Sequence, residues 1–296
     1  MVTGTGRNLD KVPFLSEAGV QLQAVDLLDE TGMNGLVAGQ DVVFHVAAWL
    51  GSHGQAEKAE AFNVQATEML VRLAAAHKVS RFVHTSSIAV YGPPTQPVIH
   101  EDTPFASQND LYGRTKGAGE QNALKLAHEL GLALTVVRPG MVYGPRAIGW
   151  SVRMLQLVQK RVPVIYGGGT GHAYPIYIDN LVDGMILAAT QPAAVGQAFN
   201  FCDPPVTFKE WFGYYGEMCG RKPVAMPLFL ARLLVFFNDT FRLGLPLTRE
   251  RLTYFLIRSD FPASKAQTLL GYQPRVPITE GMRHTEAWLR QAGYLD

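Results

Sequence analysis

The 296-residue sequence predicts an α/β fold, a doubly wound parallel sheet followed by a smaller and more helical region, and three observations predict it. Short apolar runs alternate with helical patterns through the first half, as βαβ units require. Hydroxyl- and glycine-bearing residues follow those runs directly, at the strand ends where parallel sheets hold ligands. From about residue 150 the pattern loosens, and Gly167-Gly168-Gly169 and Pro204-Pro205 separate short helices.

Taken in order, Val2 to Gly6 reads as an opening strand and Lys11 to Ala18 as the segment leading to the next, Leu22 to Val25, which ends at Asp26. Asp41 to Ala47 is a stronger strand, and Arg81 to Thr85 and Leu134 to Arg138 complete the set. A helix is expected from about Ala59 to Lys78, where Ala66, Met69, Leu70 and Leu73 recur at helical spacing. Another is expected from about Thr115 to Leu130. The most apolar segment, Pro227 to Phe237, is too short to span a membrane and carries Arg232. A core helix is its plain reading. A helix lining an apolar substrate pocket or touching a membrane surface is the other.

Composition narrows the function classes. Apolar residues at 47% supply a sizeable core, and a net charge of +1 leaves no footprint for nucleic acid. Two cysteines, Cys202 and Cys219, make no disulfide framework and fit a reducing, cytoplasmic setting. With no CxxC, no HExxH and dispersed histidines, no metal site is expected. The N-terminus lacks a signal-peptide pattern.

Three motifs carry chemistry. In Tyr112-Gly113-Arg114-Thr115-Lys116 the first and last residues share one helix face. An ammonium there would lower the pKa of the phenol and let it exchange a proton with an alcohol or carbonyl. Alone the pattern is weak, since it recurs by chance on ordinary helices. Thr85-Ser86-Ser87-Ile88-Ala89-Val90-Tyr91-Gly92 follows a strand, where a hydroxyl can polarise a reacting oxygen; a serine-rich strand exit that satisfies loop backbone is the bland alternative. Arg138-Pro139-Gly140-Met141-Val142-Tyr143-Gly144-Pro145 forms a rigid turn against which a flat ring can rest, or a plain strand-to-loop turn.

The order and spacing of all three resemble the extended short-chain dehydrogenase/reductase superfamily, and Asn180 with the apolar C-terminal half looks more like its 3β-hydroxysteroid dehydrogenase-like branch. The resemblance runs over nearly the whole chain. Asn63, Tyr177-Ile178-Asp179-Asn180, Lys265-Ala266 and Leu270-Gly271-Tyr272-Gln273-Pro274 match further family segments. It implies a Rossmann-like NAD(P)-binding domain over residues 1–150 and a mainly substrate-binding region over 151–296, with some segments returning to the first domain. It implies Tyr112 as general acid/base, Lys116 as the group that tunes it and holds the nicotinamide ribose, and Ser87 as the polarising hydroxyl. Arg7, Asp26, Leu27, Ala47, Ala48, Pro139 and Val142 would line the cofactor with Tyr112 and Lys116. It also implies a homodimer built on the helices at 59–78 and 115–130.

The pattern departs from the family at its start. The family opens with a strand, a GxxGxxG turn and a helix, but Val2-Thr3-Gly4-Thr5-Gly6-Arg7-Asn8 lacks a third glycine and a following apolar helix. It fits better as the second strand, with Arg7 at the ribose-reading place. On this reading the first strand and helix, roughly 30 residues of a βαβ unit, lie upstream of Met1. The sheet is then expected to have an exposed edge, and the chain as given to bind cofactor weakly or not at all. Arg7 suits the 2′-phosphate of NADP and tilts the expectation from NAD to NADP; an exposed basic residue after a strand is the bland alternative. The segment before Tyr177 lacks the arginine that grips a nucleotide-sugar diphosphate. With Pro227–Phe237, Phe241, Leu243, Leu245, Tyr254 and Phe255 this points to a hydrophobic, sterol-like or acyl substrate. The expected activity is alcohol/ketone oxidoreduction. A nucleotide-sugar epimerase or dehydratase with bound NAD, and a catalytically silent binding protein, are the alternatives.

Overall fold

The computed structural model describes residues 1–50, 55–107, 110–241, 243–245 and 247–296. They form two compact units. Met1–Val90, Ser107–Val137 and Ala188–Ala198 build the first; Tyr91–Ala106, Arg138–Leu187 and Phe199–Asp296 build the second.

The first unit runs β1 (Thr3–Thr5), α1 (Pro13–Glu17), β2 (Gln21–Gln23), α2 (Glu30–Val37), β3 (Val42–His45), α3 (Ala56–Glu60), α4 (Ala66–Ala76), β4 (Arg81–Thr85), α5 (Leu111–Leu130) and the start of β5 (Leu134–Pro139). The second continues with β6 (Met141–Tyr143), α6 (Arg153–Gln159), β7 (Pro163–Tyr166), β8 (His172–Ala173), β9 (Pro175–Tyr177), α7 (Ile178–Thr190) and β10 (Ala198–Phe201). It closes with β11 (Val206–Thr207), α8 (Phe208–Met218), β12 (Val224–Met226), α9 (Leu228–Phe241), α10 (Arg249–Tyr254), α11 (Ser264–Leu270) and α12 (Ile278–Gln291).

The main sheet has four strands in the order β10-β5-β4-β3. Its β3, β4 and β5 pair in parallel, with Val42 opposite Arg81 and Phe82 opposite Leu134. Helical spacing explains how α4 and α5 cover it. Leu70, Val71 and Ala74 of α4 and Ala123, Leu126 and Ala127 of α5 close on Phe82, Leu134 and Val136, with Met33 and Val37 of α2 beside them. In the second unit Tyr143, Leu155, Trp211, Phe212, Tyr215, Met282 and Leu289 form the core.

Several boundaries differ from those read in the sequence. The opening strand is confined to Thr3–Thr5 and pairs in parallel with β2 as a separate two-stranded sheet. β3 is therefore an edge of the four-stranded sheet, with Phe44 and Val46 exposed. Strand β2 stops at Gln23, so Asp26 lies beyond it in a turn closed by Asp29 N–H donating to the Asp26 carbonyl. The helix expected at 59–78 is instead α3 and α4 joined through a widened π turn at Ala61–Gln65. Helix α5 starts four residues before the expected Thr115, because the Asp110 carboxylate accepts from Gly113 N–H at 2.8 Å and caps it. It ends at Gly131, whose φ of 69° lies in the left-handed region. The core reading of Pro227–Phe237 is corrected as well: α9 buries only Ala231, Val235 and Asn238.

Candidate active site

The three residues expected to carry chemistry all lie in the first unit. Ser87 sits two residues past β4, and Tyr112 and Lys116 occupy the first two turns of α5. Two glycines bring these elements together. A Cβ on Gly113 would lie 2.1 Å from Ser107 Oγ and 2.4 Å from the Ala89 carbonyl. A Cβ on Gly119 would lie 2.1 Å from the Asn63 carbonyl. Only glycine allows α5 to seat this closely against the loop after β4 and the π turn.

Asn63 then staples the region. Its Oδ1 accepts from Trp49 N–H at 2.7 Å, while its Nδ2 donates to Trp49 O at 3.1 Å and Thr115 Oγ1 at 2.9 Å. Thr67 Oγ1 donates to the Asn63 carbonyl at 3.0 Å and lies 3.0 Å from His45 Nε2. With its one proton so used, Thr67 accepts from His45, which places a proton on the imidazole Nε2.

The half-buried phenol of Tyr112 lies near the Ser87 side chain. Burial pushes its pKa above the usual tyrosine range; the neighbouring Ser87 hydroxyl opposes that rise and Asp110 adds to it. Lys116 is not among the groups that shift this phenol. The ammonium faces the interior instead. Lys116 is 1% exposed, its Nζ has no hydrogen-bond partner among the described residues, and burial pulls its pKa down to about 8 against the opposing pull of Glu120. Its charge reaches His45 and His84, both buried. Desolvation first and Lys116 second pull His45 down to about 3, and the same causes hold His84 well below the usual histidine range. The two rings lie 5.4 Å apart, and neither nitrogen of His84 has a partner among the described residues. Thr85 Oγ1 and Ser86 Oγ are likewise buried and unpartnered there.

The residues expected at a cofactor are spread more widely. Arg7 and Asp26 meet as an exposed ion pair at 3.9 Å, with the Arg7 guanidinium 5.6 Å from the Phe62 ring centre. Leu27 packs at the margin of the apolar core, while Ala47 is exposed and Ala48 half-buried beyond the end of β3. Pro139 and Val142 belong to the second unit, buried at the end of β5 and half-buried in β6 respectively. There Arg138 is itself a structural clamp, donating to Tyr91 Oη at 2.5 Å and Glu101 O at 2.8 Å. Among the expected substrate-lining residues, Phe255 packs on Phe208, Phe212 and Tyr166, whereas Phe241 and Leu243 are exposed. His45 opens the His45–Ala48 strand end that resembles the family's segment over the cofactor, whereas His84 is a residue that the motifs do not reveal, its only sequence signal being a polar residue at an inward position of an otherwise apolar strand.

Residues 1–202 match the model of the NAD dependent epimerase/dehydratase family. The chain is similar to isoform 1 of a 3beta-hydroxysteroid-dehydrogenase/decarboxylase of Arabidopsis thaliana, at 28% identity over 90% of this chain and 66% of the relative. Against isoform 2 the identity is 26%, and the match spans 52% of the relative's length. It is also similar to a 2-alkyl-3-oxoalkanoate reductase of Stenotrophomonas maltophilia (strain K279a), at 27% identity over 95% of this chain and 90% of the relative. A crystal structure of UDP-glucuronic acid 4-epimerase from Bacillus cereus superposes with a TM-score of 0.79 at 22% identity, over 98% of this chain and 90% of that one. That likeness is one of fold, the Rossmann-type α/β arrangement.

Proposed function

The chain belongs to the NAD dependent epimerase/dehydratase family, and we propose that it is an NAD(P)-dependent oxidoreductase acting on the CH–OH or ketone group of a hydrophobic substrate. The observation that carries this reading is the nearness of the Ser87 side chain to the Tyr112 phenol, with Lys116 one turn further along the same helix. The fit to a nicotinamide ribose rests on the buried ammonium of Lys116 and the buried hydroxyls of Thr85 and Ser86, polar atoms that lack partners among the described residues. Lys116 would hold that ribose, and the Arg7–Asp26 pair would meet the adenosine end. When bound, the nicotinamide supplies or accepts the hydride.

The chain's own residues manage the proton and the reacting oxygen. With its pKa raised, Tyr112 stays a neutral phenol at physiological pH and is ready to give a proton to a carbonyl oxygen. Ser87 donates a second hydrogen bond at the same place, stabilising negative charge that develops there. Arg7, a planar cation beside the ribose-reading position, favours a 2′-phosphate and hence NADP. The hydrophobic substrate class is supported by what the relatives' names state, a 3β-hydroxysteroid and a 2-alkyl-3-oxoalkanoate.

The test follows nicotinamide absorbance while the protein meets NADPH or NADP with a panel of sterols and alkyl ketones. Substrate-dependent net absorbance change is expected, and Tyr112→Phe should lower kcat by about 10²–10⁴-fold at an unchanged melting temperature. A folded Tyr112→Phe protein that keeps full activity would overturn the assignment. Turnover without net absorbance change would replace it with an epimerase.

A further inference from the structure

Helix α9 is apolar around nearly its whole circumference. Its inward face, Ala231, Val235 and Asn238, packs into the second unit. Its outward face carries Phe229, Leu230, Leu233, Phe236, Phe237 and Phe241, and Leu243 extends the stripe beyond the helix end. All seven are exposed, Phe229 at 69% and Phe241 at 62%. The rings are already arranged as a ridge: Phe237 lies 5.7 Å from Phe236 and 5.9 Å from Phe241 between centroids. Isolated apolar side chains on a surface need no explanation, but a continuous phenylalanine and leucine ridge marks an interaction face.

Charge indicates what the ridge meets. Residues 221–258 carry seven basic side chains (Arg221, Lys222, Arg232, Arg242, Arg249, Arg251, Arg258) against two acidic ones, in a chain whose net charge is only +1. A cavity of about 290 Å³ opens beside the ridge, lined by Val235, Phe236, Leu252 and Leu256 together with Arg232 and Arg249. Apolar walls with guanidinium groups match the boundary between acyl chains and phosphate headgroups. At 14 residues α9 is about 21 Å long, and no helix among the described residues is long and apolar enough to cross a membrane.

We propose that the outward face of α9 docks the protein flat on an anionic phospholipid bilayer, the phenylalanine ridge entering the interface and Arg232 and Arg249 beside it meeting headgroup phosphates. This goes beyond the proposed reaction and does not depend on it. A surface of this kind combines buried apolar area with attraction to anionic lipid, so it responds to both lipid charge and salt.

Co-sedimentation of the intact protein with large unilamellar vesicles tests it, using phosphatidylcholine mixed with phosphatidylglycerol against phosphatidylcholine alone. Binding to the mixed vesicles is expected, weaker on phosphatidylcholine alone and weakened by salt. The triple variant Phe229→Ser, Phe236→Ser, Phe237→Ser replaces exposed side chains, so its circular dichroism should match the parent while its partition coefficient falls at least tenfold. Arg232→Glu should reduce the preference for anionic vesicles. Absent binding to the mixed vesicles, or binding that the triple variant retains in full, overturns the proposal. A self-associated form by sedimentation velocity that the triple variant dissolves, without vesicle binding, overturns it in favour of a second copy of the chain.

Discussion

Lys116 concentrates the conflict between stability and chemistry. A buried ammonium without a hydrogen-bond partner among the described residues is held among two neutral histidines and Glu120, and only the last favours its charge. With a folded pKa near 8 against 10.5 for the free side chain, the charged form at neutral pH costs the fold about 3 kcal/mol. Between those values the unfolded chain binds more protons than the folded one, so stability rises with pH from about 8 upward. Lys116→Met should therefore raise the melting temperature at pH 7, remove this rise at alkaline pH, and abolish turnover. Thermal melts across pH, set beside the absorbance assay, read all three. A variant less stable than the parent at pH 7 would show that the ammonium is satisfied in solution.

At the scale of elements, close approach is what builds the site, and glycine is what permits it. Gly119→Ala drives a methyl group onto the Asn63 carbonyl of the π turn, and the forced separation of the elements should cost about 1–3 kcal/mol. A methyl group added at Gly213, in α8, would meet nothing within 4 Å, so Gly213→Ala should be stabilising by about 0.5–1 kcal/mol. Urea unfolding of the two variants separates steric fit from helix propensity. The open edge of β3 carries a different liability. Among the described residues no strand pairs with the outer side of β3, and such backbone beside exposed Phe44 and Val46 invites pairing with another chain. Phe44→Lys should lower the self-associated fraction in light scattering, and an unchanged fraction would rule out this edge as the contact.

At the scale of the whole molecule, sequence-distant segments are held by buried polar staples, of which Asn180 is the clearest in the second unit. Its Oδ1 accepts from Arg275 and Val276 N–H, each at 3.0 Å, and its Nδ2 donates to Asp203 at 3.0 Å and to Val276 O at 2.9 Å. Asn180→Ala leaves several buried groups unpaired at about 1–3 kcal/mol each, and should lower the melting temperature more than any exposed substitution. By sequence this asparagine belongs to a segment that matches the family; by its contacts it is a fastener between α7 and the chain before α12.

Local periodicity is enough to read the α/β order, the extent of β4 and the one-turn spacing of Tyr112 and Lys116, because strand alternation and the helical repeat are properties of consecutive residues. The position of Ser87 beside Tyr112 is legible as a strand-end hydroxyl awaiting a partner. The direction of the Tyr112 pKa, the enclosure of Lys116 by His45 and His84, and the exposure of α9 are not, since each depends on which distant surfaces meet. Burial sets the first two, and burial is a property of packing among α5, β3 and β4 that no run of neighbouring residues records. The outward ridge of α9 has the same composition as a core helix, and only the tertiary structure decides which of its faces finds protein and which is left to solvent.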